Sequence, residues 1–139
     1  MKRVLAIDYG KKRTGIAVTD PLQIIAGALD TVETKGIEQY ICDYIAHEPV
    51  ERIVVGYPRQ MNGEESENMI RIEPFVNRLR KLFPDIEIEL YDERFTSRMA
   101  HQTMRDAGLH RKARQNKPLV DRIAATIILQ GWMEAHKGF

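Results

Sequence analysis

The sequence predicts an α/β fold with a five-stranded mixed sheet, in which three antiparallel strands precede two parallel crossover strands and helices flank the sheet. Apolar runs at 3–9 and 14–20 are joined by a turn so short that they must form an antiparallel hairpin. Helical spacing of apolar residues at 36–48 separates this hairpin from an unbroken apolar run at 53–56, as in a right-handed crossover. Clean alternation over 86–90 then indicates a strand near a sheet edge.

The other elements follow from periodicity and from residues that break it. An extended segment at 24–34 completes a three-stranded meander, and residues 64–83 have the charge distribution of a long helix. We expect Pro74 to kink or interrupt that helix, because proline removes a backbone hydrogen bond. Three further segments complete the prediction: a helix at about 96–107, a basic mobile loop at 108–118 and a final helix at 119–136.

Composition is typical of one globular domain, which we place at residues 1–139. The chain is 43% hydrophobic and 29% charged, enough for an ordinary core without a disulfide or a structural metal. Cys42 is the single cysteine, so a disulfide within the chain and a cysteine-based zinc site are both excluded. The run Val4–Ile7 is too short for a signal peptide or a membrane span, and we therefore expect a cytoplasmic protein that does not bind membranes.

Charge is segregated although the net charge is only +1. Lys11, Lys12 and Arg13 lie together just after Asp8, and a second basic group occupies 110–117. A nearly neutral protein with local basic clusters can still bind a polyanion such as nucleic acid.

Three carboxylates occur where the predicted sheet can bring them together. Asp8 follows the first strand, Glu93 follows the fifth, and Asp121 lies in the first turns of the last helix. The carboxyl ends of parallel strands meet at one edge, where ligand sites of α/β folds form. Asp121 also shares a helical stripe with Ala125 and Ile128, so it should face the sheet, where an unpaired carboxylate is costly.

A bound cation would resolve that cost. Mg²⁺ prefers carboxylate, water and phosphate oxygens, and two such ions can activate a water against a phosphodiester. The residues alone leave simpler interpretations open. Asp8 is also an ordinary turn residue, Glu93 could pair with Arg94, and Asp121 could pair with Arg122 or Lys117.

Four blocks in order along the chain carry a family resemblance. They are Asp8-Tyr9-Gly10 with Gly15-Ile16-Ala17, Gly56-Tyr57-Pro58 with Asn62-Gly63, Asp92-Glu93-Arg94-Phe95-Thr96, and Lys117 with Asp121 and Ala124-Ala125. In these blocks the chain resembles the YqgF family over nearly its whole length. That family consists of RNase H-like nucleases, also described as Holliday junction resolvases and assigned to processing of pre-16S ribosomal RNA.

The resemblance implies an RNase H-like fold and a set of site residues. The catalytic acids and metal ligands would be Asp8, Glu93 and Asp121, holding Mg²⁺ or Mn²⁺ as a pair of divalent ions. The residues near the phosphate, inferred from charge and motif position, would be Lys12, Arg13, Arg94 and Lys117. The residues that shape the loops around the site would be Gly10, Gly15, Gly56 and Pro58.

The expected function is therefore that of a hydrolase acting on ester bonds. We expect a metal-dependent nuclease that processes the 5′ end of pre-16S rRNA during ribosome biogenesis, with structured RNA or ribosomal precursor particles as partners. A Holliday junction resolvase acting on DNA is the first alternative, and a nucleic-acid-binding assembly factor that does not cut is the second. The sequence leaves monomer and homodimer open; a junction resolvase should be a two-fold dimer.

A different class shares part of the first block. Asp-x-Gly followed by a second glycine also resembles the first phosphate loop of actin-like and sugar-kinase ATPases, but those enzymes bind nucleotide between two such domains. The spacing from Gly10 to Gly15 is also that of a Walker A loop, yet Ile16 and Ala17 stand where Lys and Ser or Thr are required.

Overall fold

The computed structural model describes residues 2–57, 69–92 and 117–137. Its strands are β1 (Arg3–Asp8), β2 (Arg13–Thr19), β3 (Ala26–Glu33), β4 (Val50–Tyr57) and β5 (Glu87–Asp92). Its helices are α1 (Ile37–His47), which follows a 3-10 turn at Thr34–Gly36, α2 (Met69–Leu82) and α3 (Lys117–Lys137). The predicted helix at 96–107, residues 64–68 and the loop residues 108–116 lie outside the described residues.

The described strands form one sheet in the order β3-β2-β1-β4-β5. β1 pairs antiparallel with β2, and β2 pairs antiparallel with β3. β4 is parallel to both β1 and β5, so β5 stands at an edge. The predicted meander, the two crossover strands and the edge position of the fifth strand are all confirmed.

Both faces of the central strands are buried, as the unbroken apolar runs predicted. Because side chains alternate along a strand, Leu5 and Ile7 lie in one core with α1 and α2, while Val4 and Ala6 lie in a second core with α3. Phe75 of α2 is fully buried in the first core.

Helix α3 packs on the second face through the stripe that the sequence predicted. Ala125 and Ile128 are fully buried, and Trp132 is 5% exposed. The Trp132 ring belongs to this second core, its indole Nε1 donates to the Glu89 carboxylate, and His136 stacks on it with 4.4 Å between the ring centroids. None of the helices in the described ranges combines the length and the apolar character that crossing a membrane requires.

Two details of the sequence prediction are wrong. The first is an interruption at Pro74: helix α2 continues through this residue, which is solvent-exposed, so that water can satisfy the carbonyl that the proline leaves unpaired. Lys117 and Pro118, predicted as the end of a loop, are already helical in α3. Proline is tolerated in the first turn, where backbone N–H groups have no helical partner.

Gly15→Ala should destabilise the protein by about 1–3 kcal/mol, the usual cost of overpacking. A Cβ at Gly15 would lie 2.1 Å from the Asp121 carbonyl oxygen, a backbone atom of α3 that cannot move alone. Urea unfolding of the two proteins measures the difference. Gly27→Ala is the matched control, because the nearest atom to its Cβ lies 3.9 Å away. Equal stability changes for the two variants would contradict the close contact.

Candidate active site

Asp8 ends β1 at the carboxyl edge of the parallel strands, and a glycine lies opposite it on each of the two adjacent strands. Its cross-strand partners are Gly15 of β2 and Gly56 of β4. Directly opposed residues point their side chains to the same face of a sheet. With no side chain on either neighbour, the face around the Asp8 carboxylate is open for another element to enter.

Helix α3 enters that space. Its backbone at Asp121 lies against Gly15, the direct neighbour of Asp8. Burial, together with the negative charge of Asp121, raises the pKa of Asp8 from its ordinary 3.8 to about 7. The sequence predicted that these two acids would meet at one sheet edge, and the structure brings them together.

Arg13, the first residue of β2, reaches the second carboxylate. Its Nε donates to Asp121 Oδ2 at 3.1 Å, and the two side chains are 39% and 23% exposed. Within the described residues, this is the ion pair of Asp121, in place of the pairing with Arg122 that the sequence left open. The sequence had assigned Arg13 to phosphate and gave no sign of this contact.

Asp8 has no cationic partner among the residues that the structure describes. The Arg13 guanidinium pairs with Asp121 alone, so the neighbouring Asp8 carboxylate has no counter-charge among the described residues. Burying charge is costly unless it is paired. Two adjacent carboxylates with a single counter-charge match the oxygen donors that hard divalent cations take.

A tight turn carries the basic cluster next to these acids. A Cβ at Gly10 would lie 2.3 Å from the Arg13 carbonyl oxygen, so only glycine fits. Lys11 and Lys12 are exposed at the tip of the turn. With Arg13 they line a groove of about 400 Å³ that also includes Glu33 and Lys35.

Thr34 fixes this turn from the end of β3. Its backbone N–H donates to the Lys12 carbonyl at 2.9 Å, and its hydroxyl donates to the Gly10 carbonyl at 2.7 Å. The buried Thr14 hydroxyl lies 2.9 Å from the Thr34 hydroxyl and supplies its own proton to that bond. Thr34 and Lys35 were missed by sequence reasoning, since only the pairing of Arg13 with Glu33 in the sheet brings them to the turn.

Several predicted site residues cannot be placed. Glu93, Arg94 and Pro58 lie outside the described residues. Lys117 begins α3, but its side chain is not described. Asp92, which precedes Glu93, pairs in register with Tyr57 at the end of β4, on the edge that carries Asp8.

The fold is that of junction resolvases of the RNase H-like type. T. thermophilus RuvC, solved in complex with a Holliday junction substrate, is 15% identical with a TM-score of 0.60, covering 99% of this chain and 97% of that one. Fowlpox virus resolvase, solved with Holliday junction DNA, is 14% identical with a TM-score of 0.56, covering 96% of this chain and 97% of that one.

Sequence similarity is closer and identifies the family. The family described as RuvX: Holliday junction resolvase matches residues 2–135, and the chain belongs to it. Proteins named "Putative pre-16S rRNA nuclease" are 64% identical in Phocaeicola vulgatus and 59% identical in Bacteroides thetaiotaomicron, each over 99% of both chains. The family and these relatives place the chain among the nucleases, which are hydrolases, and confirm the predicted resemblance.

Asp8→Asn should stabilise the metal-free protein increasingly as pH rises. The unfolded chain ionises Asp8 near pH 3.8 and the folded protein near 7, so wild-type stability falls across that range. Asparagine removes this loss, and its stabilising effect should grow by about 2–3 kcal/mol between pH 5 and pH 8. Urea unfolding with a chelator at both pH values measures it.

Asp20→Asn is the control, and its effect on stability should have the opposite sign. Backbone N–H groups of Ile25, Ile24 and Leu22 donate to this carboxylate and lower its pKa. The contribution of Asp20 is therefore present above pH 4 and lost as pH falls, so this variant should lose stability at pH 8. A pH-independent effect of Asp8→Asn would contradict the raised pKa.

Proposed function

We propose that this protein is a metal-dependent nuclease that hydrolyses phosphodiester bonds of a ribosomal RNA precursor. The observation that carries the proposal is the juxtaposition of Asp8 and Asp121, two part-buried carboxylates of which only Asp121 is paired with a guanidinium among the described residues. A structural ion pair would need one acid for one base. The second acid has a reason to be there if the site is built to bind a cation.

Asp8 and Asp121 would hold the divalent ions, with Glu93 as the third ligand. Glu93 is assigned from the sequence, since the chain leaves β5 at the same edge of the sheet. When bound, Mg²⁺ or Mn²⁺ supplies a Lewis acid that favours ionisation of water and stabilises the leaving oxygen. The chain itself orients the two carboxylates, one through a strand end and one through the contact of α3 with Gly15.

The groove beside the acids would bind the nucleic-acid backbone. Lys11, Lys12 and Lys35 present flexible ammonium groups along it, and Glu33 is the acid among its lining residues. Phosphate contacts position a substrate without reading its sequence, so selectivity would come from the shape of the RNA.

The names of the relatives support RNA as the substrate. Proteins more than half identical to this chain are named as pre-16S rRNA nucleases, and their similarity extends over 99% of both chains. Such an enzyme would act in the cytoplasm on precursor particles. The family description and the fold shared with RuvC support the second candidate, cleavage of DNA four-way junctions.

A cleavage assay tests the proposal. Purified protein with Mg²⁺, Mn²⁺ or chelator is given a pre-16S rRNA 5′ fragment, the mature RNA, a four-way DNA junction and linear duplex DNA. Asp8→Asn and Asp121→Asn should each lower the rate on the order of 10³-fold or more, because such residues act as a unit. Asp20→Asn, which removes a carboxylate from the far end of β2, should cut like the wild type.

The outcomes separate the candidates. Preferred cleavage of the precursor RNA supports the proposal, and preferred cleavage of the junction supports the second candidate. Binding without metal-dependent cleavage of any of the four would contradict both and favour an assembly factor.

The salt dependence of RNA binding should identify the basic groove. Lys12→Gln should lower the slope of log affinity against log salt by about 1, because one phosphate contact is lost. Fluorescence anisotropy in chelator measures it. Lys2→Gln, an equal charge change at the opposite end of β1, should leave the slope unchanged. Identical slopes for Lys12→Gln and wild type would show that the RNA binds elsewhere.

A further inference from the structure

The Arg13 side chain is placed to bind either of two negatively charged groups. One is Asp121, which it contacts through a single bond from Nε at 3.1 Å. The other is any phosphate in the groove that Arg13 lines together with Lys11 and Lys12. Its backbone is part of β2, so only the side chain has to move between the two.

The present contact is one that another cation can displace. An arginine holds a carboxylate most firmly with two parallel bonds, and Arg13 donates to Asp121 from one nitrogen only. The Arg13 side chain is also 39% exposed and the Asp121 side chain 23%, so water reaches both members of the pair. Water and salt screen such a pair, whereas a divalent ion would contact Asp8 and Asp121 together.

The turn that carries Arg13 is held independently of this contact. Two hydrogen bonds from Thr34 hold the backbone of the turn at Gly10 and Lys12, and the Thr14 hydroxyl donates to the Thr34 hydroxyl. Loss of the contact between Arg13 and Asp121 therefore leaves the groove in place. After release, the backbone of Arg13 would stay in β2 beside the acids, and its guanidinium would be free to turn toward the groove.

We propose that Arg13 exchanges between the two sites: it neutralises Asp121 when no metal is bound, and a divalent cation on Asp8 and Asp121 releases it to bind a phosphate of the nucleic acid. This inference rests on the proposed function. Its consequence is reciprocal coupling, because metal that frees Arg13 strengthens nucleic-acid binding, and nucleic acid that holds Arg13 strengthens metal binding.

The first test measures Mn²⁺ alone by titration calorimetry, without nucleic acid. Arg13→Gln removes the competitor for Asp121 and should raise the Mn²⁺ affinity roughly five- to tenfold. Lys12→Gln removes an equal charge from the same turn, but Lys12 does not contact Asp121. This variant should change the Mn²⁺ affinity less than about twofold. Arg13→Lys, which keeps the charge but lacks the planar group, should lie between them. Thermal melts establish that each variant is folded.

The second test measures coupling by anisotropy with a labelled RNA hairpin, with and without Mn²⁺, on probe shown by gel to be intact. Mn²⁺ should tighten binding by the wild type several-fold, and Arg13→Gln should lose most of that gain. Lys12→Gln should weaken binding by the same factor in both conditions. If Arg13→Gln keeps the full gain, or matches Lys12→Gln in both tests, the exchange is overturned.

Failure of the exchange and failure of the proposed function give different results. In one case the wild type binds Mn²⁺, Asp8→Asn abolishes that binding, and Arg13→Gln behaves like Lys12→Gln. This result would support the metal site and contradict the proposed exchange of Arg13. If the wild type produces no Mn²⁺ binding heat and shows no Mn²⁺-dependent gain in RNA affinity, both the metal-dependent function and the exchange of Arg13 are contradicted.

Discussion

The close contact between the α3 backbone and Gly15 is the constraint on which the site depends. It lets a helix from the C-terminal part of the chain lie against a hairpin strand from the N-terminal part, with the carbonyl of Asp121 where a side chain would otherwise be. The buried stripe of Ala125 and Ile128 holds the helix there. Because Gly15 is the direct neighbour of Asp8, the contact that seats the helix also sets the separation of the two acids.

The electrostatics of the site follow from this packing. Burial of the Asp8 carboxyl is the main cause that raises its pKa to about 7, and repulsion by the neighbouring Asp121 carboxylate adds to it. Arg13 compensates one of them and leaves the other for a ligand of opposite charge. Packing of α3 stabilises the fold, and the repulsion between the two acids at the sheet edge offsets part of that stabilisation. Such a cost is common at sites where side chains are held in place for chemistry.

Much of this arrangement could be predicted from the sequence, and the limits have a physical cause. Local patterns predicted the hairpin, the crossover strands and the stripe of α3, since periodicity reports which side chains face a core. Position along parallel strands also brought Asp8 to the edge where Asp121 lies. The ion pair of Arg13 with Asp121 spans 108 residues, and the bonds of Thr34 depend on strand register, so neither leaves a local signature. The passage of α2 through Pro74 depends on exposure, which the helical pattern alone did not reveal.

The row formed by Gly15, Asp8 and Gly56 has a consequence for how this protein can change. Across three adjacent strands it offers a single side chain, so the sheet is joined there by backbone hydrogen bonds with almost no apolar burial. A larger residue at Gly15 would collide with the α3 backbone, and one at Gly56 would crowd the face that carries the Asp8 carboxylate. Substitutions at this edge therefore have little stability to add, and stabilising changes are expected in the two cores or at the distant ends of the helices.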